Sequence, residues 1–170
     1  MAKALHNQLV EASRRWLQRQ CSVVMTEMAT IGEDPDAIGW RQGSSILAER
    51  KASRSDFLAD GQKFFRKNAW FGIGRRRYYG TPPGLLDPAE LPAGWGLLEW
   101  NGKIMRTLRK ADMATEVNAI QENNIFISAL RRIGRRAPKG VSIKCYTYAA
   151  KDRAALGIQA EDASVGDFEI

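Results

Sequence analysis

Two strand-like runs, residues 36–40 and 45–51, are separated by only Arg41-Gln42-Gly43-Ser44. A four-residue connection is too short for a crossover, so the runs must pair antiparallel and the chain must build a sheet. Alternation along the second run puts Glu49 and Lys51 on one face and Arg50 on the other, while Asp36, Ile38 and Trp40 share a face of the first. Antiparallel pairing brings the far ends of the two runs together, with Asp36 across from Glu49 and Lys51.

The rest of the chain supplies partners for that sheet. Residues 4–20 carry Leu5, Leu9, Val10, Ala12, Trp16 and Leu17 at helical spacing. Residues 21–28 are apolar and β-branched enough for a strand, and residues 32–35 form a turn. Ser53 or Ser55 caps a helix expected over 56–68, packed through Phe57, Leu58, Phe64 and Phe65. A glycine-punctuated basic loop follows at 70–76, then a strand at 77–80 stopped by Thr81-Pro82-Pro83-Gly84. Asn101-Gly102 marks a hairpin between 95–100 and 103–108, and 113–133 reads as a long helix. This order implies an α/β fold, a mixed β-sheet flanked by helices in a single domain over 1–150, with 151–170 a loosely held acidic tail.

Composition excludes several classes of function. With only Cys21, Cys145 and His6, the chain offers no disulfide framework, thiolate zinc cluster or His-rich metal site. No apolar run approaches the roughly 20 residues of a membrane helix, and the first residues lack a signal-peptide core, so a cytoplasmic protein is expected. The net charge of +7 is uneven: the last twenty residues set two cations against five carboxylates, leaving +10 on the first 150. A basic body fits a polyanionic partner or a merely basic soluble protein, and charge alone does not choose.

Two carboxylates beside one ammonium suit a hard cation with water ligands, such as Mg²⁺ or Mn²⁺. Phosphodiester hydrolysis needs that combination, because the anionic substrate repels hydroxide unless its charge is neutralised. The ordinary alternative is an exposed hairpin carrying one ion pair, worth about 0–1 kcal/mol.

Pro35-Asp36 followed by Glu49-Arg50-Lys51 resembles the PD-(D/E)xK signature of restriction-endonuclease-like nucleases. The run 6–12 is similar to the first helix of that superfamily. The runs 51–57, 78–84 and 91–98 resemble its branch of MmcB-type DNA-repair proteins and related phage proteins. The resemblance implies a restriction-endonuclease-like fold and a metal-dependent deoxyribonuclease. It nominates Asp36, Glu49 and Lys51 as catalytic, Glu11 as a third carboxylate, and Asp36, Glu49, Glu11 and the Arg50 carbonyl as ligands of Mg²⁺ or Mn²⁺. Arg50 departs from the pattern, which has an apolar residue there. Its guanidinium needs a carboxylate partner or an escape to solvent, so this strand face is expected to be partly open.

The basic segments are the expected contacts to DNA phosphates, through Lys63, Arg66, Lys67, Arg75, Arg76 and Arg77, with Trp70 as a base-stacking ring. Trp16, Trp95 and Trp100 fall in core-like patterns, and His6 is expected to fill a polar role at a helix end. Arg131, Arg132, Arg135 and Arg136 suit either phosphates or a solvated helix end. Two functions follow: a nuclease of repair, recombination or phage biology, or a silent member of the same fold that binds DNA or protein, for instance as a phage counter-defence factor. A homodimer or a protein partner is compatible with the sequence.

Overall fold

The structure, a computed structural model, describes residues 2–28 and 32–135. Residues 1–129 form one compact unit, and a second begins at Leu130, of which only the end of the last helix is described. Six strands make a single mixed sheet whose spatial order is the order of the chain. They are β1 (Val23–Thr26), β2 (Ala37–Arg41), β3 (Ser44–Arg50), β4 (Arg76–Thr81), β5 (Gly96–Trp100) and β6 (Met105–Arg109). The hairpins β1–β2–β3 and β5–β6 are antiparallel, while β3–β4 and β4–β5 are parallel. Among the described residues four α-helices accompany them: α1 (Ala2–Gln18), α2 (Arg54–Asp60), α3 (Phe64–Lys67) and α4 (Ala119–Arg135). No described helix is long and apolar enough to cross a membrane.

Each face of the sheet holds its own core. Ala12, Trp16 and Leu17 of α1 pack on Ala37, Ile46, Ala48, Tyr78 and Leu98. The opposite face gathers Ile38, Leu47, Tyr79, Leu97 and Trp95 with Ile125 of α4. Tyr79 and Trp95 stack there with ring centroids 4.3 Å apart. The tight β2–β3 turn has positive φ at both Gln42 and Gly43 (45° and 72°), as primed hairpin turns require.

Several boundaries differ from expectation. The segment 56–68 is two short helices rather than one, because Gly61 closes α2 and Lys63 starts α3 in extended backbone. Phe57 packs on the core as expected, but Leu58 and Phe64 are exposed, at 61% and 58%. Helix α4 begins at 119 rather than 113, since the Asn118 side chain accepts the Gln121 amide proton and caps it there. Trp16 and Trp95 are buried and Trp100 partly so, as their pattern predicts. Arg131 and Arg132 are exposed on the end of α4. The Arg135 side chain, Arg136, the expected boundary at 150 and the acidic tail lie outside the described residues.

Candidate active site

The β2–β3 register pairs Ala37 with Ala48, which sets Asp36 beside the Glu49–Arg50 peptide. Asp36 Oδ2 accepts the Arg50 backbone N–H at 2.9 Å, and its Oδ1 lies 2.8 Å from the Arg50 guanidinium. Arg50 is only 8% exposed, so the strand face expected to be open is closed by this pair. Its Nε donates to His6 Nδ1 at 2.7 Å, which brings His6 from the first helix into the site.

On the other face of β3, Glu49 and Lys51 enter a buried ionic cluster. Lys51 Nζ is 3.1 Å from Asp60, 3.8 Å from Glu49 and 4.0 Å from Asp56. Arg66 sits at the centre, with Nε donating to Asp60 at 2.6 Å, Nη1 to Glu33, and Nη2 lying 3.4 Å from Glu49. Its guanidinium also lies 4.7 Å from the centre of the Trp95 ring. Tyr79, opposite Glu49 on β4, donates its hydroxyl to Asp60 at 2.9 Å.

These contacts push the carboxyls in opposite directions. Burial opposes ionisation of Asp60, but Arg66 and Lys51 outweigh it and hold this group below the usual carboxylate range. Burial, with the neighbouring charge of Asp36, raises Glu49 to about 8 against the pull of Arg66 and Lys51. Its Oε1 is buried without a hydrogen-bond partner. A carboxylate in that state is stabilised by a proton or by a cation.

Glu11 does not join this group. Arg14 donates to it twice, at 2.7 and 2.6 Å, and Arg15 once at 2.8 Å, so its pKa falls to about 2. Among the described residues, no three of His, Cys, Asp and Glu gather to hold a metal ion. Of the ligands expected from the sequence, Asp36 has both carboxylate oxygens engaged by Arg50, while Glu49 keeps one buried oxygen without a hydrogen-bond partner.

Two residues expected to meet phosphate lie inside instead. Arg66 is the centre of the ionic cluster, with 5% side-chain exposure. Arg77 donates to the carbonyls of Ile73, Gly74, Ala69, Gly72 and Glu116 at 2.9–3.4 Å. The glycines of this loop serve that packing: Gly74 has φ +84°, and a Cβ there would lie 2.6 Å from Leu47 Cβ. Arg75 and Arg76 each donate to backbone carbonyls, Ala114 and Ala111 respectively, from partly exposed positions. Lys67 and Trp70 are exposed, and Lys63 is half-exposed in an ion pair with Asp60 at 3.0 Å.

Sequence reasoning missed Asp60, Tyr79 and Arg66 as neighbours of Glu49 and Lys51, and Glu33 as a partner of Arg66. One signal was present. Asp60 falls three residues after the core-facing Phe57, where an apolar side chain belongs, so its charge needed a buried partner.

No family model matches the chain, and neither does a curated protein. A solved structure of a protein of unknown function from Silicibacter pomeroyi is similar, at 24% identity and a TM-score of 0.60, covering 79% of this chain and 93% of that one. The likeness shows that the α/β fold recurs in a solved protein, and it carries no activity with it.

Proposed function

We propose that the sheet is a restriction-endonuclease-like core and that the chain hydrolyses phosphodiester bonds in DNA with a divalent cation, Mg²⁺ or Mn²⁺. The observation that carries this reading is the unpartnered, buried Glu49 Oε1 beside Asp36, whose charge raises the proton affinity of Glu49. Asp36, Glu49 and the Arg50 carbonyl would hold the cation. A bound cation would polarise a phosphoryl oxygen and acidify a water.

The chain's own groups have separable tasks. Lys51 is held by Asp60 and supplies fixed positive charge at Glu49, where charge on a pentavalent phosphate needs compensation. Arg66 lies 3.4 Å from the other oxygen of Glu49 and pulls that carboxylate toward its ionised form. Exposed Lys67 and Trp70 lie at and just beyond α3, the helix that carries Arg66, and offer a phosphate contact and a stacking ring.

Arg50 favours a second reading. Its guanidinium already engages Asp36, so guanidinium and metal compete for one oxygen. A chain in which Arg50 always wins is a silent fold that binds DNA or protein. Labelled single-stranded, duplex and branched DNA, incubated in Mg²⁺, Mn²⁺ and EDTA, separates the two. Cleavage that needs metal and is lost in Asp36→Asn and Glu49→Gln supports the enzyme. No cleavage of any form, with no heat of Mg²⁺ or Mn²⁺ binding that depends on those two residues, supports the scaffold.

A further inference from the structure

A groove of about 520 Å³ lies where β3 and β4 begin, lined by Arg41, Arg76 and Lys110 around Trp16, Ile46 and Tyr78. Ile46 and Tyr78 belong to the core on the α1 side of the sheet, whereas Glu49 and Lys51 alternate to the other face. Roughly 20 Å of strand also separates Ser44, on the groove's rim, from Lys51. This concavity is thus distinct from the candidate active site in both face and end.

Its chemistry is one-sided. Three cations reach it from separate segments: Arg41 from the end of β2, Arg76 from the start of β4, and Lys110 just after β6. Among the described residues lining it there is no aspartate or glutamate. Arg76 is steadied by donating Nη1 to the Ala111 carbonyl at 2.8 Å, and Arg41 and Lys110 are exposed. The floor is packed, with Trp16 and Tyr78 edge to face at 5.1 Å. Like cations converging on a concavity without counter-charge repel one another, and an anion removes that cost. The volume suits a nucleotide-sized group, and Gln20, Gln42, Ser44 and Thr107 offer neutral hydrogen bonds around it.

We infer that this groove binds phosphate groups, either discrete phosphates or the backbone of a nucleic acid strand. The inference does not depend on cleavage at Asp36 and Glu49.

The test uses the full chain and two probes, a fluorescein-labelled twelve-residue oligothymidylate followed by anisotropy and inorganic pyrophosphate as competitor, at low salt. Arg41→Glu/Lys110→Glu should weaken oligothymidylate binding at least about tenfold and lower the salt slope by about two. Lys103→Glu/Arg106→Glu, an equal charge change on exposed residues outside the groove, should weaken it by less than about threefold. Lys110→Ala, a milder change, should show the same effect in smaller measure if the reversed pair fails to fold. Displacement of the oligonucleotide by pyrophosphate identifies a site for discrete phosphates, and its failure to displace identifies a backbone contact. Equal weakening by both reversed pairs, or binding of neither probe by the wild type, overturns the inference. Asp36→Asn/Glu49→Gln should retain binding whether or not the wild type cleaves DNA, which keeps this result separate from the nuclease reading.

Discussion

Arg66 and Arg77 are both buried, both come from segments that read as basic surface, and they are held in opposite ways. Arg66 is surrounded by the carboxylates of Glu33, Glu49 and Asp60. Arg77 is caged by five backbone carbonyls. The first guanidinium neutralises charge, so its worth depends on the protonation of its neighbours. The second pins a loop through dipoles that do not titrate. One cluster is electrostatic and adjustable, the other conformational and fixed.

The comparison breaks most sharply at Arg66→Met. That change leaves the Glu33 and Asp60 carboxylates in the interior without their shared cation, at a cost of about 3–5 kcal/mol in chemical denaturation at neutral pH. The loss should shrink on acidification. Asp60 titrates below the usual range, so its stabilising share is present above its ordinary pKa and disappears as pH falls through the lower folded value. A penalty that stays constant down to pH 3 would falsify the electrostatic account.

Glu49→Gln has the opposite sign. With its folded pKa raised to about 8, the native state holds a proton that the unfolded chain releases, so stability declines as pH rises from the ordinary glutamate value toward 8. The variant should remove that decline and, at pH 8, exceed the wild type by on the order of 2–4 kcal/mol. On the nuclease reading, Mg²⁺ should raise the wild-type melting temperature at pH 8 and leave the variant unmoved. A variant as pH-sensitive as the wild type would show that another group governs the profile.

Arg77→Met should cost less, about 1–3 kcal/mol from unsatisfied carbonyls, and the cost should be flat between pH 4 and 8. Hydrogen exchange should show the loss concentrated in residues 69–77. Glu11→Gln, at a half-exposed ion pair, should change stability by less than about 1 kcal/mol and leave metal affinity and any cleavage unaltered. A marked loss of metal affinity would return Glu11 to the site.

The hairpin geometry was legible because alternation and turn length leave one register that buries Ile38 and Leu47. That register delivered Asp36 to Glu49. Helix α1 and the Asn101-Gly102 hairpin were legible for the same reason: their patterns are local. The ionic cluster was not. Glu33 read as turn and Arg66 as surface, since a charged side chain far along the chain shows its partner only after the crossover between β3 and β4 has closed. Glu11 shows the opposite case, because its neighbours Arg14 and Arg15 sit one helical turn away and hold the carboxylate locally.

The order of the strands has a consequence for how the molecule is made. Each strand lies beside its predecessor, so strands added in chain order would each find a neighbour already in place. His6 sits on the first helix beside Arg50, and the groups of the buried cluster fall between Glu33 and Tyr79. On that order, the addition of β4 would assemble the charges while one side of the sheet still lacked β5, β6 and Ile125. At that stage Tyr79 lacks Trp95, and Arg66 lacks the ring it later covers. Assembly in that order would draw the ionic network together in water and dry it afterwards, as Trp95, Leu97 and Ile125 close over Tyr79.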